Sequence, residues 1–154
     1  MMTRRQAVRL LALFGGWLMA APSFAAELAK NIRDLLATST FVYISSTRKD
    51  GTLSKPAEIW FLWHQGSVYV ASAPTTWRVK RIRWGRPAAK IWVGKLDGPA
   101  FTATGAVVDE PAVHEIMFKT FAEKYGLRWK AWEGSFRSGL ADGSRVLVRY
   151  VPDA

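Results

Sequence analysis

A run of basic residues interleaved with tryptophan is the most distinctive chemical feature of the sequence. The stretch TTWRVKRIRWGRPAAK, Thr75 to Lys90, holds six cationic side chains and two tryptophans. They are Arg78, Lys80, Arg81, Arg83, Arg86 and Lys90, with Trp77 and Trp84 among them. Cations gathered in this way bind anions, and the anion can be a nucleic acid, a membrane surface or one small phosphorylated molecule.

The start of this stretch has residue types that bind a compact phosphate. A helix is predicted from Thr75 to Trp84, and the free N–H groups at a helix start bind anions. Trp77, Lys80, Arg81 and Trp84 fall at i, i+3, i+4 and i+7, on one face of this helix. Lys80 and Arg81, one turn into the helix, can add charge-assisted hydrogen bonds. The hydroxyls that can reach the same anion are those of Ser72 and Thr76. The pattern therefore predicts a site for a small phosphorylated molecule.

Two other interpretations of the basic stretch compete with this one. Charged residues usually form a solvated helix face, and exposed arginines can lay their stems over tryptophan. Aromatic residues among cations can also stack on nucleobases. The formal net charge of the chain is +10, but much of it is concentrated in this one stretch, which suits one compact anion better than a long polyanion. No nucleic-acid partner is therefore expected.

The N-terminal segment has the composition of an export signal. MMTRRQAVRLLALFGGWLMAAPSFA has a basic start, no acidic residue and an apolar run too short for a comfortable membrane span. Ser23 and Ala25 supply the small residues that precede a cut after Ala25. The pair Arg4-Arg5 resembles a twin-arginine signal, with ordinary Sec export and an uncleaved anchor as the alternatives. Residues 1–25 are predicted to direct the chain to the periplasm or outside the cell, leaving no stable membrane span.

The composition of the chain excludes several kinds of chemistry. The 154 residues suit one domain, here residues 26–154, and 49% hydrophobic content supplies a core. The absence of cysteine excludes disulfides, thiolate catalysis and cysteine-ligated metals. His64 and His114 have no metal-ligand spacing to other residues, and no Ser-His-Asp arrangement is legible. No metal site is expected.

Short strands and tight turns surround the basic helix. The predicted strands are Phe41–Thr47, Leu53–His64, Ser67–Ala73, Ala88–Lys95, Ala100–Asp109 and Ser144–Pro152. The links Arg48–Gly51 and Gln65–Gly66 are too short to join parallel strands, so the strands form an antiparallel meander. This pattern predicts a mainly β (α+β) fold, a six-stranded antiparallel β-barrel with flanking helices.

The predicted helices are one short and one long, besides the basic one. The short helix lies within residues 26–40, and the long one runs from Glu110 to Gly126. A loop rich in tryptophan is predicted between the long helix and the last strand. Its Trp129 and Trp132 are expected to pack in the core or in a dimer interface.

The order of these elements resembles the flavin-binding split barrels related to pyridoxamine-phosphate oxidase. The segments that carry the resemblance are GTLSKPAEIWF (Gly51–Phe61), GSVYVAS (Gly66–Ser72), WRVKRIRWGRPAAKIWV (Trp77–Val93) and GAVVDEP (Gly105–Pro111). The resemblance covers roughly residues 28–151. It is specific as an order and spacing of elements and does not specify one activity.

The resemblance implies a homodimer with FMN, or a deazaflavin coenzyme, at the subunit interface. It implies that the cofactor phosphate is held by Ser72, Lys80 and Arg81, with Thr76 and Arg78 next. It also implies that the isoalloxazine ring is lined by Lys55, Pro56, Ala57, Glu58 and Ile59. In such proteins the cofactor carries out the hydride chemistry and the protein positions it, so no catalytic side chain is assigned. The function implied is an exported oxidoreductase acting on a small molecule.

Two rival functions stay open at the level of sequence. One is a non-catalytic periplasmic module that binds haem or another planar anionic ligand. The other is a structural protein that has kept the fold and lost the ligand. An acid at Glu58, beside an electron-rich reduced ring, favours the rivals.

Overall fold

A computed structural model describes residues 28–153 of the chain, so the predicted export signal lies outside the described residues. The helices are α1 (Lys30–Thr38), α2 (Trp77–Arg83), α3 (Pro111–Tyr125) and α4 (Leu127–Asp142). The strands are β1 (Val42–Ser46), β2 (Ala57–Ile59), β3 (Leu62–His64), β4 (Ser67–Ser72), β5 (Ala88–Val93), β6 (Ala100–Val108) and β7 (Val146–Pro152). None of these four helices is long and apolar enough to cross a membrane.

The strands form one antiparallel sheet in the order β2-β1-β5-β6-β7-β4-β3. Strands β2 and β3 stand at opposite ends of this order, yet only Trp60 and Phe61 separate them in the chain. The sheet must therefore curl until its two ends meet, which makes it a barrel. The antiparallel arrangement and the barrel-like closure agree with the sequence-based prediction.

The prediction of six strands is wrong, because the segment Leu53–His64 breaks into β2 and β3. The break lies at Phe61, whose backbone bonds to side chains of α3 rather than to a neighbouring strand. The N–H of Phe61 donates to the Tyr125 hydroxyl at 3.2 Å, and Lys124 Nζ donates to its carbonyl at 3.1 Å. These two bonds satisfy the backbone N–H and C=O of Phe61. At this point the chain stops pairing with β1, as β2, and begins to pair with β4, as β3.

The hydrophobic core has two parts, one on each face of the sheet. Val68 and Val70 of β4 belong to the cluster inside the barrel, which also includes Val79 of α2. Tyr69 and Ala71, the alternate residues of the same strand, belong to the cluster formed with α3 and α4. Because β4 is covered on both faces, all six of its residues are buried.

The expected tryptophan-rich loop is instead a helix, α4, which packs against α3. Trp129 and Phe136 of α4 are buried, and both rings contact Phe121 of α3 at centroid distances of 5.6 and 6.0 Å. Their seven-residue spacing places them on one face of the helix. Burial of these aromatic rings outweighs the two glycines that weaken the helix locally. Trp132, in contrast, is 53% exposed.

Candidate functional site

A hydrogen bond between side chains joins α2 to the barrel. The guanidinium of Arg81 donates to Ser46 Oγ at 2.7 Å. Ser46 ends β1, and its backbone N–H donates to Ser54 Oγ at 2.9 Å after the chain has turned back. The basic helix is therefore fixed against the start of the segment that leads to β2.

A basic cleft of about 390 Å³ lies at this junction. Its lining residues are Ile44, Ser46, Arg48, Ser54, Lys55, Ala57, Thr76, Trp77, Arg78 and Arg81. They comprise four cations, three hydroxyls and no carboxylate. Concave sites of this volume hold small molecules, and this lining selects an anionic one.

Trp77, Lys80 and Arg81 lie close together on one face of α2. Lys80 Nζ lies 4.9 Å from the centre of the Trp77 ring, and the Arg81 guanidinium lies 5.4 Å from it. Trp84 follows at a ring distance of 6.2 Å from Trp77, so the helix presents the predicted face. Lys80 packs on the tryptophan and does not line the cleft.

A second cleft of about 400 Å³ adjoins the first, and Thr76 and Arg78 line both. Arg78 donates to Ser72 Oγ at 3.0 Å, which ties α2 to the end of β4. Burial lowers the pKa of the Arg78 guanidinium, but an arginine stays charged under ordinary conditions. Arg78 is thus a fixed positive charge at the boundary of the two clefts.

The one acidic side chain that lines the second cleft is already engaged. Glu58 stands directly opposite Tyr43 in the β1–β2 pairing, and the Tyr43 hydroxyl donates to Glu58 Oε2 at 2.6 Å. This hydrogen bond raises the pKa of the Tyr43 hydroxyl. The phenol therefore holds the Glu58 side chain in place on the wall of the second cleft.

The structure brings most of the sequence-predicted site residues together. Lys55, Ala57, Thr76, Arg78 and Arg81 line the basic cleft. Glu58, Ile59, Ser72, Thr76 and Arg78 line the second cleft. Lys80 and Pro56 line neither.

Three polar residues of the basic cleft were not predicted from the sequence. These are Ser46, Arg48 and Ser54. Ser46 and Arg81 are 35 positions apart, and only the folded sheet places them side by side. Arg48 lies in the predicted turn, where its guanidinium donates to the Leu53 carbonyl at 2.7 Å. The one signal in the sequence that pointed to Arg48 was its place in the turn that joins the strands on either side of the predicted site.

No cluster suited to a metal ion exists in the part of the chain that the structure describes. His64 lies in β3 and His114 in α3, and neither lines the two clefts. The site therefore consists of cations, hydroxyls and apolar walls.

Comparison with known proteins identifies the fold. No protein-family model matches the sequence, and no curated protein matches it. A putative pyridoxamine 5'-phosphate oxidase from Listeria innocua is similar in structure, with a TM-score of 0.59 and 16% identity over 83% of this chain and 95% of that one.

Two further solved structures are similar over nearly their whole length. The haem storage protein HutZ from Vibrio cholerae has a TM-score of 0.56 and 14% identity over 83% of this chain and 92% of its own. A structure described as an F420 reductase has a TM-score of 0.54 and 18% identity over 82% of this chain and 97% of its own. The chain therefore has the split-barrel fold of the pyridoxamine 5'-phosphate oxidase-like proteins.

Proposed function

We propose that this protein is an oxidoreductase that binds FMN or a deazaflavin coenzyme, with the cofactor phosphate in the basic cleft. The observation that carries the proposal is the lining of that cleft: four cations and three hydroxyls, with no carboxylate. A phosphate dianion needs this combination of charge and hydrogen-bond donors. The fold supports the choice of cofactor class, because similar structures include an F420 reductase and a putative pyridoxamine 5'-phosphate oxidase.

The residues around the cleft fit a phosphate followed by a planar ring. Arg81 and Ser46 are already held together, so these hydrogen-bond donors need little reorganisation when an anion binds. Beyond them, β2 leads from the basic cleft at Ala57 to the second cleft at Ile59. These apolar side chains offer a surface for a ring system. The cofactor, when bound, supplies hydride transfer, and the chain binds it, orients it and shields it from water.

Haem is the second candidate, and the fold is shared with a haem storage protein. The cations of the basic cleft suit the carboxylates of haem. Haem iron also needs an axial ligand, which in proteins is histidine, cysteine, methionine or tyrosine. None of the residues that line the two clefts is of these types. The lining therefore favours a flavin-type cofactor over haem.

A homodimer and export complete the proposal. Trp77 at the start of α2 and Trp84 just after its end are 60% and 57% exposed, and exposed aromatic side chains beside a ligand site are typical of interfaces. Size-exclusion chromatography with light scattering tests the dimer, and a monomer at micromolar concentration would count against it.

For export, replacing Arg4 and Arg5 by lysine should block a twin-arginine signal and spare a Sec signal.

The cofactor is tested by the absorption spectrum of the purified protein, before and after addition of FMN, a deazaflavin or haem. A flavin band near roughly 450 nm that survives desalting supports the proposal, since that band belongs to the cofactor. Retention of haem alone, with neither flavin retained, would replace the proposal by its second candidate.

A further inference from the structure

A third pocket lies next to the second cleft and differs from it in chemistry. This aromatic pocket, of about 240 Å³, is lined by Trp60, Trp132, Phe136 and Arg145. Trp60, Phe136 and Arg145 also line the second cleft, so the two spaces adjoin. The pocket thus combines three aromatic walls with a single cation.

The aromatic walls are held rigidly by their neighbours. The Trp60 ring stacks on Tyr125 at a centroid distance of 4.2 Å and an interplanar angle of 9°. The Phe136 ring packs against Trp129 at 5.3 Å and is buried. A pocket that is already formed spares a ligand much of the cost of ordering side chains. Trp132 forms the exposed side of the pocket.

Arg145 is positioned by packing and not by an acidic partner. Its guanidinium lies 4.2 Å from the centre of the Phe136 ring, and its stem lies against Gly139, where an added Cβ would stand 2.8 Å from Arg145 Cγ. Its hydrogen bond to Ser135 Oγ is long, at 3.4 Å. Within residues 28–153 no carboxylate forms an ion pair with it, whereas Arg137 and Arg149 each pair with glutamate.

We propose that the aromatic pocket is a substrate subsite that takes a small aromatic carboxylate. The ligand ring packs among Trp60, Phe136 and Trp132, and the ligand carboxylate accepts hydrogen bonds from the planar edge of Arg145. That this ligand is a substrate rests on the proposed oxidoreductase function. The connection through the second cleft places it beside the ring of the proposed cofactor.

The test is calorimetric titration of the full protein, with and without added FMN, using benzoate as the probe and benzyl alcohol as its uncharged counterpart. Benzoate should bind saturably and about tenfold more tightly than benzyl alcohol, the usual worth of one charge-assisted contact. Arg145→Gln should weaken benzoate about tenfold or more, and Trp132→Ala should weaken both probes by about two- to tenfold. Arg128→Gln, an exposed arginine of α4 outside the pocket, is the matched control and should change nothing.

Equal affinity of the parent and Arg145→Gln for benzoate, or no saturable binding at about 10 mM, would overturn the subsite. If Arg145→Gln does not fold, Arg145→Lys replaces it in the test. Arg145→Lys keeps the charge and loses the planar fork, so it should also weaken benzoate binding, and an affinity equal to that of the parent would overturn the subsite. Binding of benzoate without any binding of FMN would remove the proposed cofactor and keep the pocket. Binding of FMN without benzoate would remove the pocket alone.

Discussion

The guanidinium of Arg81 donates a 2.7 Å hydrogen bond to the hydroxyl of Ser46, which joins α2 to β1 inside the basic cleft. Arg81→Gln should therefore weaken FMN binding by about ten- to a hundredfold, the usual cost of losing a hydrogen bond to a charged group. Lys80→Gln should weaken it by about threefold at most, because Lys80 lies over Trp77 and does not line the cleft, and charges that act through solvent contribute little. Fluorescence titration with FMN measures both, and a larger loss from the Lys80 variant would reverse the assignment.

The different positions of Lys80 and Arg81 show how far the sequence defined the site. Spacing along one helix correctly predicted that Trp77, Lys80 and Arg81 share a face. It could not show which cation turns towards the barrel, since that depends on Ser46, 35 positions earlier. Residues brought in by sheet pairing carry no local signal of their position.

Tyr125 stabilises the break between β2 and β3 through two hydrogen bonds. Its hydroxyl accepts from the Phe61 N–H at 3.2 Å and donates to the Thr40 carbonyl at 2.8 Å. Tyr125→Phe should lower the free energy of unfolding by about 1–3 kcal/mol, because it leaves the N–H of the buried Phe61 without its partner. Tyr43→Phe, which removes an exposed hydroxyl, should change it much less. Urea denaturation compares the two, and equal effects would show that the Tyr125 hydroxyl is dispensable.

The strand break itself could not be read from the sequence. Residues 57–64 are rich in aromatic and β-branched types, which are typical of one continuous strand. What interrupts the strand is a pair of side chains, Lys124 and Tyr125, more than 60 positions later.

Gly105 is required where β6 passes under α2. An added Cβ there would stand 2.8 Å from both Ile82 Cδ1 and Tyr150 Cε1. Gly105→Ala should lower the free energy of unfolding by about 1–3 kcal/mol through overpacking. Gly134→Ala, on the open face of α4, meets no neighbour within 4 Å and should raise it by about 0.5–1 kcal/mol. Thermal unfolding with the same sign for both variants would contradict this packing.

Helix α4 shows the opposite limit of sequence analysis, where a signal was present and outweighed. Residues 127–142 include two glycines and two serines, residue types that are common in loops. The spacing of Trp129, Phe136 and Leu140 nevertheless follows one helix face. Trp129 and Phe136 belong to the buried cluster shared with α3, and the partly buried Leu140 packs against it. Tertiary packing of these side chains decides the structure, and sequence propensity does not record it.

Lys124 makes stability depend on pH in the alkaline range. Burial lowers its pKa from 10.5 to about 8. The attraction between its Nζ and the Phe61 ring, whose centre lies 3.4 Å away, favours the charged form but does not offset the burial. Between these two pH values the unfolded chain keeps a proton that the folded chain has lost, so stability rises with pH. The parent should therefore gain stability relative to Lys124→Met as the pH rises from 8 to about 10. Lys119→Met, at an exposed position of α3, is the control and should show a constant difference.

The central claim is that the basic cleft recognises a phosphate, and comparison of FMN with riboflavin tests it most directly. The two molecules share the ring system and differ by the phosphate group. Equilibrium titration of the purified protein should give an affinity for FMN at least tenfold higher than for riboflavin, and Arg81→Gln should remove most of that difference. Equal affinity for FMN and riboflavin, or a preference for FMN that survives in Arg81→Gln, would contradict the assignment of the cleft.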